Sequence, residues 1–286
     1  MSVCYQCPNR HPKCHSECEK YIAENARNAI IREKRHEMKQ LDSYKYETSI
    51  RLKQKRKVKM IKIEGTEIYG FEAAIRGMRN PMNSWDRSDS GWCEQQEICK
   101  VPIATCQKIG GYCIGDNDLK LMKQLAKAGP VHAKYRRMIT VTCDITAPMF
   151  WWAEYDTYKV GTVRNSCSKM HKIHSKELLN EDFSCEGCKE VGFGAMLCFV
   201  TVQNTCNTLR EKYNETKDKK YWRALIELLP ESYNQRATVQ LNYEVLAGMY
   251  YWRKDHKLDE WHTFCKWVES LPYSEIITGG NENGED

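Results

Sequence analysis

Hydrophobic residues along the chain follow two spacings, one typical of strands and one typical of helices. The runs from Met60 to Glu64 and from Met138 to Ile145 alternate apolar and polar positions, which predicts two strands. Other segments repeat apolar residues every three or four positions and predict helices; they span 71–79, 118–127, 148–155, 221–229, 238–252 and 258–270. Separate strands with helices dominating the second half indicate an α+β fold. Residues 273–286 are rich in Gly, Asn and Glu, which predicts a disordered tail.

The first sixty residues carry the positive surplus of the chain. They hold 15 Lys and Arg against 7 Asp and Glu, whereas the other 226 residues hold 29 against 31. Residues 21–59 contain no Gly or Pro and are rich in Ala, Glu, Lys and Arg, which predicts a basic helix or linker. Such a segment suits nucleic acid or a membrane surface as a partner, and it is equally explained as the solvated face of a helix.

The composition also predicts where in the cell the protein is located. Mean hydropathy is −0.69 and no apolar run reaches about 18 residues, so a membrane-spanning helix is excluded. The amino terminus lacks the apolar stretch of a secretory signal, which predicts a cytoplasmic protein. In that reducing setting the 15 cysteines are expected to bind metal or to lie buried as thiols.

Three groups of cysteines are distinguished by their spacing. The first, in residues 1–20, has two short pairs joined by a small loop, which suits tetrahedral Zn²⁺, with free surface thiols as the alternative. Its members are Cys4, Cys7, Cys14 and Cys18. The second lies in an irregular insertion over 82–117, and its looser spacing favours neither metal nor free thiols; it consists of Cys93, Cys99, Cys106 and Cys113. The third, Cys185 and Cys188, has no second pair, and its spacing alone assigns it no role.

Residues 147–162 combine aromatic and polar side chains directly after the second predicted strand. They include two Trp and two Tyr beside a carboxylate and a Lys, namely Trp151, Trp152, Glu154, Tyr155, Tyr158 and Lys159. Aromatic rings beside polar groups at a strand-to-helix junction suit a flat heterocyclic ligand. A core helix with a polar rim explains the same pattern.

This stretch resembles the sequence motif of the flavin-dependent thymidylate synthase family. The motif reads R-H-R-x-x-S-x-N-E-x-S-x-R-Y and follows a strand and an Ala-Pro pair, with Gln three residues before the first Arg. Counted without gaps from Ala147-Pro148, Glu154 falls on that Gln. The R-H-R positions hold Thr157, Tyr158 and Lys159, and the later Glu, Ser and Arg positions hold Asn165, Cys167 and Lys169. The same register places His132 on a family histidine that contacts flavin.

A second block similar to the same family lies nearer the carboxyl end. Leu229-Pro230 opens a segment that resembles the pattern L-P…N-x-R-x-x-x-N/H-F-x-x-x-R. Counted without gaps, Asn242 falls on the first Asn and Arg253 on the last Arg, whereas Glu244 replaces the middle Arg. The resemblance covers residues 60–272 and implies a helix-rich fold around a central antiparallel sheet.

The resemblance implies an enzyme that methylates deoxyuridine monophosphate (dUMP). Methylenetetrahydrofolate would supply the carbon, reduced FAD the hydride, and NADPH would reduce the flavin. Arg253 would be the catalytic residue that polarises the uracil ring. The implied flavin contacts are His132, Thr157, Tyr158, Lys159, Asn165 and Asn242, and the implied substrate contacts are Glu154, Asn165, Cys167, Lys169 and Arg253. Family sites form between subunits, so a homotetramer is expected.

Two other functions stay open beside this one. Motif arginines are replaced at Thr157 and Glu244, which favours an inactive relative whose zinc segment and basic helix bind nucleic acid or a protein partner. The retained family positions favour an enzyme, acting either on dUMP or on another pyrimidine nucleotide. For an enzyme, Arg223 or Arg236 is a candidate to supply the missing positive charge. The added Cys-rich segment resembles those of phage or mobile-element proteins.

Overall fold

The computed structural model describes residues 61–92 and 111–279, together with residues 8, 18–23, 25, 26, 28 and 29. By its internal contacts the chain divides into two units, residues 1–58 and 59–286. In the first unit the described positions from 19 to 29 are helical, and most of the predicted basic helix lies outside the described residues. The second unit contains the sheet and the candidate site.

The strands of the second unit are β1 (Lys62–Tyr69), β2 (Gly91–Trp92), β3 (Tyr112–Cys113), β4 (Thr140–Pro148), β5 (Val163–Ser166) and β6 (Asn234–Asn242). An antiparallel four-stranded sheet forms the centre of this unit, with strand order β1-β4-β6-β5. A separate two-stranded sheet pairs β2 with β3. This sheet and the many helices around it confirm the predicted α+β class.

The two middle strands, β4 and β6, are paired along their whole length. Their register runs from Thr140 opposite Asn242 to Pro148 opposite Asn234. Alternate apolar residues of both strands are buried, namely Val141, Cys143, Ile145, Ala147, Ala237, Val239 and Leu241. Because successive side chains of a strand point to opposite faces, this alternation turns one face of the sheet towards the core.

Helices account for most of the other regular structure in the described residues. They are α1 (Phe71–Arg79), α2 (Asp116–Lys127), α3 (Met149–Tyr155), α4 (Lys169–Lys172), α5 (Glu186–Val191), α6 (Phe193–Thr216), α7 (Lys219–Leu228), α8 (Tyr243–Arg253), α9 (Asp259–Glu269) and α10 (Glu275–Thr278). Of the helices in the described segments, none combines the length and the apolar character that crossing a bilayer requires.

The junction between β1 and α1 consists of one residue, Gly70. Its φ is 95°, and a Cβ atom built there would lie 2.0 Å from the carbonyl oxygen of Met138. Glycine adopts positive φ without strain and has no Cβ. The direct passage from the first strand into the first helix therefore requires glycine.

The described residues form two hydrophobic clusters. The larger one packs against the sheet and includes Trp151, Trp152, Trp261 and Phe264. The smaller one lies among α5, α6 and α7, and its buried members are Ile173, Leu178, Phe183, Cys185, Phe199, Cys206 and Leu225. Phe183 joins it to the start of β6, because its ring centroid lies 5.2 Å from that of Phe199 and 5.7 Å from that of Tyr233.

The single helix predicted over 238–252 is wrong in its first part. Strand β6 ends at Asn242, and α8 begins at the next residue. The Asn242 side chain accepts a hydrogen bond from the Val245 backbone N–H at 3.0 Å and so caps the helix. Pairing with β4 determines the strand, and this tertiary contact overrides the helical spacing of the apolar residues. The sequence pattern also does not predict β5 or the 24-residue α6.

The disorder predicted from residue 273 is wrong for the part of the tail that is described. Residues 275–278 form α10, in which Ile276 and Ile277 are buried. Arg136 donates a hydrogen bond to the Ile276 carbonyl oxygen at 3.0 Å, which ties α10 to the chain before β4. Residues 280–286 lie outside the described residues.

A buried ion pair holds the segment that follows α1. Arg79 Nε lies 2.6 Å from Asp118 Oδ1, and the two side chains are 5% and 0% exposed. Asp118 Oδ2 accepts hydrogen bonds from the hydroxyls of Ser88 and Ser90 at 2.7 and 2.6 Å. Burial raises the pKa of Asp118, but the hydrogen bonds from Ser90, Ser88 and Arg79 outweigh burial and hold that pKa below its ordinary value. The start of the predicted insertion is therefore anchored to α2.

Arg79→Met is expected to lower the free energy of unfolding by about 3–5 kcal/mol, because it leaves the Asp118 carboxylate buried without its cation. Chemical denaturation measures this loss. The matched control is Arg76→Met on the same helix, which removes an exposed pair with Glu72 and is expected to cost less than about 0.5 kcal/mol. Equal losses in the two variants would contradict the role of the buried pair.

The pair also sets a pH dependence. Because the pKa of Asp118 is lowered in the folded protein, its contribution is complete above the pKa of an unfolded aspartate. The contribution falls as the pH drops through the lowered folded value. Asp118→Asn is expected to flatten the acid limb of a stability–pH curve, and an unchanged limb would show that other carboxylates dominate it.

Candidate functional site

Helix α3 is tied at its start to the segment that leads into β6. The backbone N–H groups of Met149 and Phe150 donate to the carbonyl oxygens of Tyr233 and Glu231 at 3.0 and 3.2 Å. Trp152 Nε1 donates to the carbonyl oxygen of Gln235 at 2.9 Å. The position of α3, and of the polar residues at its end, therefore depends on β6.

The two tryptophans of α3 belong to the core. Both are fully buried. The ring centroid of Trp151 lies 4.8 Å from that of Trp261 and 5.3 Å from that of Tyr155. A ligand cannot stack on rings packed in this way, so α3 is a core helix with a polar rim rather than an aromatic platform.

The polar rim of α3 meets the end of α8. Arg253 Nη1 lies 2.6 Å from Glu154 Oε2, and Arg253 Nε donates to the Tyr158 hydroxyl at 2.9 Å. Glu154 and Arg253 are 99 positions apart in sequence. The structure therefore brings together three of the residues that the motif resemblance implies.

Two residues outside the motif complete this group. Glu154 Oε2 also accepts a hydrogen bond from Trp261 Nε1 at 3.1 Å and lies 3.2 Å from His256 Nε2. The Arg253 guanidinium carbon is 4.7 Å from the Trp261 ring centroid and 5.4 Å from that of Tyr158, within cation–π range. We call these five residues the Arg253 cluster.

The contacts of the Arg253 cluster hold the guanidinium in place but do not use all of its N–H donors within the described residues. Its Nε and Nη1 atoms are engaged by Tyr158 and Glu154. Within residues 61–92 and 111–279, Nη2 makes no hydrogen bond, and the side chain is 16% exposed. A held guanidinium with free N–H donors can bind a planar group that carries oxygen acceptors.

A second polar network connects α3 to β5 and β6. The Arg164 guanidinium carbon lies 4.0 Å from the Trp152 ring centroid, and its nitrogens bind Asp156 and the side-chain oxygen of Gln235. Gln235 in turn donates from Nε2 to the carbonyl oxygen of Cys167. This network links the aromatic core to the chain that follows β5.

Cys167 lies on the wall of a cavity of about 290 Å³, which we call the basic cavity. Its charged lining residues are Lys169, Lys172, Lys176, Asp182 and Arg236. Lys176 is paired with Asp182, and Arg236 lies 2.7 Å from Asp144. In the described part of the chain Lys169 and Lys172 have no carboxylate partner, so the cavity has positive charge available for a phosphate-bearing ligand.

The remaining residues implied by the motif belong neither to the Arg253 cluster nor to the lining of the basic cavity. Thr157, Lys159 and Asn165 are exposed. The Asn242 side-chain oxygen caps α8. His132 is exposed in the turn after α2, and among the described residues it shares no hydrogen bond or ion pair with the Arg253 cluster or the basic cavity.

Sequence reasoning missed several residues of both groups. Trp261 reaches Glu154 from α9, and His256 reaches it from the connection between α8 and α9. Nothing local in the sequence indicates either contact. Gln235 carries no motif either. Lys172 and Lys176, in contrast, follow Lys169 at intervals of three and four residues, a spacing that the sequence alone could have shown.

Glu244, at the position of a family arginine, forms an ion pair inside the fold. Arg136 Nε lies 2.7 Å from Glu244 Oε2, with the side chains 9% and 18% exposed. The two groups do not approach in line, so the contact is ionic rather than a well-formed hydrogen bond. Position 244 therefore ties α8 to the chain that precedes β4.

Most of the predicted zinc site lies outside the described residues. Cys4, Cys7 and Cys14 lie outside the described residues, and Cys18 is half-buried. Of the second cysteine group only Cys113 is described. Where the chain is described, no three His, Cys, Asp or Glu side chains are grouped so that they could hold a metal ion.

The architecture is similar to that of a flavin-dependent thymidylate synthase. Two crystal structures of the enzyme ThyX from Helicobacter pylori, each complexed with FAD and dUMP, match with a TM-score of 0.52. The matches cover 77% of this chain and 97% and 96% of the ThyX chains, at 13% sequence identity. A scan of protein families and a search of curated proteins find no match. The likeness confirms the fold that the motif resemblance implies.

Glu154→Gln tests the geometry of the Arg253 cluster. We expect the indole N–H resonance of Trp261 to move upfield in ¹H–¹⁵N spectra, because an amide oxygen is a weaker acceptor than a carboxylate. The free energy of unfolding is expected to fall by about 1–2 kcal/mol. Glu227→Gln, which removes an exposed pair with Arg223, is the control and should change neither quantity measurably. A stationary Trp261 resonance in Glu154→Gln would refute the contact.

Proposed function

We propose that this protein is a FAD-dependent thymidylate synthase-like enzyme that methylates dUMP, with methylenetetrahydrofolate as carbon donor and reduced FAD as hydride source. The fold shared with ThyX supports this proposal. The observation that carries it is the Arg253 guanidinium, which Glu154 and Tyr158 hold in place while its Nη2 donors make no hydrogen bond within the described part of the chain.

Methylation of a uracil ring requires electron density at C5, which is a poor nucleophile. A guanidinium that donates to a ring oxygen stabilises the negative charge that develops there and so favours reaction at C5. Arg253 is preorganised for this task, because its contacts with Glu154 and Tyr158 fix it before a ligand binds. The buried Trp261 ring lies against the guanidinium and keeps water away from that side.

The basic cavity is the proposed site of the nucleotide phosphate. Lys169 and Lys172 provide cations without a carboxylate partner in the described residues, and Arg236 lies on the same wall. Arg223 and Arg236 each pair with a carboxylate, Glu227 and Asp144 respectively, but Arg223 lies on α7 and does not line the cavity. Of the two arginines considered for replacing the lost motif charge, the geometry therefore favours Arg236.

The proposed flavin contacts are His132, Thr157, Tyr158, Lys159, Asn165 and Asn242. Their groups suit FAD, since Lys159 and Asn165 present exposed polar side chains and Asn242 retains its amide N–H donors after its oxygen caps α8. FAD would supply the hydride and NADPH would reduce it. In the proposed homotetramer, neighbouring subunits would complete the site around the contacts of each chain.

Glu154 favours a second candidate, a flavin enzyme acting on another pyrimidine nucleotide. A carboxylate stands where the resembled motif has Gln, and a carboxylate only accepts hydrogen bonds. In the described residues its Oε1 atom has no hydrogen-bond partner, whereas Oε2 has three contacts. The 4-amino group of cytosine is a donor that a carboxylate binds well. Deoxycytidine monophosphate (dCMP) is therefore the ligand to compare with dUMP.

The purified protein is expected to be yellow and to change its flavin absorbance when dUMP is added. Arg253→Met should retain FAD but bind dUMP at least about tenfold more weakly, because a hydrogen bond from a charged donor contributes about 1.5–3 kcal/mol. Titration followed by difference absorbance measures both affinities. Arg223→Met, which removes an arginine outside both groups of site residues, is the control and should bind dUMP as the wild type does.

Other outcomes of this binding experiment would support one of the alternative functions. Tighter binding of dCMP than of dUMP would support the second candidate. A colourless protein that takes up no added FAD would support an inactive relative that binds nucleic acid or a protein partner. Equal dUMP affinity in the Arg253→Met and Arg223→Met proteins would contradict the role of Arg253.

A further inference from the structure

Cys185 and Cys188 lie at the start of α5, outside both the Arg253 cluster and the basic cavity. Cys185 is the N-cap residue of the helix and Cys188 is its third residue. Residues three apart within a helix have Cβ atoms about 5–6 Å apart, and a disulfide requires roughly 3.5–4.5 Å, so closing the bond needs Cys185, which lies outside the helix, to move towards Cys188. The two thiols already lie close enough to interact electrostatically. Cys185 has φ −126° and ψ 32°, outside the helical conformation, so its side chain is not restricted by a preceding helical turn.

The two thiols differ in access to solvent. Cys185 is 4% exposed and belongs to the smaller hydrophobic cluster, whereas Cys188 is half-buried at the rim of that cluster. The Lys189 ammonium stands close to the Cys185 thiol. Burial raises the pKa of Cys185, and Lys189 acts in the opposite direction as the largest opposing influence. A reagent from solvent therefore reaches Cys188 first, and Cys185 is placed to react second.

The pair also lies next to the wall of the basic cavity. Asp182 lines that cavity, and the residue before Cys185 is bound to the chain that enters β6. The Ser184 N–H donates to the Ser232 carbonyl oxygen and its hydroxyl donates to the side-chain oxygen of Asn234, both at 2.8 Å. These bonds fix the position of the chain before Cys185. A reaction of the two thiols is therefore expected to shift the start of α5 and to leave the wall of the basic cavity in place.

We propose that Cys185 and Cys188 are a redox-active dithiol site that reacts with low-molecular-weight disulfides such as oxidised glutathione. The Cys188 thiolate attacks one sulfur of the glutathione disulfide, which forms a mixed disulfide and releases one glutathione thiolate. The Cys185 thiolate then attacks the Cys188 sulfur and releases the second glutathione. The two protein thiols are oxidised to one disulfide, the glutathione disulfide is reduced to two thiols, and the two protons pass from the protein to the released thiolates.

Peptide mapping tests this proposal on the full chain, because trypsin cleavage after Lys176 and Lys189 releases residues 177–189, which contain both cysteines and no other. After treatment with oxidised glutathione and then an alkylating reagent, the wild-type peptide should lack two hydrogens and carry neither glutathione nor an alkyl group. Cys185→Ser should carry glutathione on Cys188. Cys188→Ser should leave Cys185 free of glutathione, since that thiol is buried.

Cys198→Ser is the matched control, because Cys198 is an exposed cysteine with no cysteine three or four residues away, and its peptide 177–189 should match that of the wild type. Two alkyl groups on the wild-type peptide, or glutathione retained on it, would overturn the proposal. Glutathione on Cys185 in Cys188→Ser would overturn the order of attack. The wild-type measurement needs no substitution, so a variant that fails to fold does not leave the question unanswered.

Discussion

The pairing of β4 with β6 determines where the candidate site forms. Each strand has nine residues, which gives a ladder about 27 Å long. Helix α3 starts at one end of this ladder, after Pro148, and α8 starts at the other end, after Asn242. At about 1.5 Å per residue, Glu154 lies roughly 9 Å from the start of α3 and Arg253 roughly 16 Å from the start of α8. The sum of these two distances is nearly the length of the ladder. Helices that return from opposite ends therefore meet at their carboxyl ends, where the two residues are in contact.

Two departures from the resembled motif share one physical feature. Glu154 and Glu244 place carboxylates where the motif has a neutral and a cationic residue, and each carboxylate binds an arginine of the same chain. The consequences differ with the partner. Glu244 binds Arg136, which also bonds α10, so this pair supports the fold. Glu154 binds Arg253, so this pair orients the side chain on which the proposed chemistry depends.

The sequence predicts the fold better than it predicts the site. Alternation locates β1 and β4, and helical spacing locates α1, α2, α3, α7 and α9. It fails at β6, because apolar residues of the strand and of α8 together mimic one helix and only the pairing with β4 separates them. The ungapped match to the family motif predicts that Glu154 and Arg253 both contact the substrate. It cannot show that Trp151 and Trp152 are closed to ligands, or that Trp261 holds Glu154, since both facts follow from how α9 packs.

The glycine between β1 and α1 constrains any sequence that is to follow this backbone path. Its necessity comes from a carbonyl oxygen that leaves no room for a side-chain carbon, and therefore owes nothing to nucleotide or flavin chemistry. Catalytic positions can drift when a lineage changes its substrate, whereas a steric requirement of this kind persists as long as the backbone path does. A chain that follows the same path from strand to helix is therefore expected to hold glycine at this junction, whatever ligand it binds.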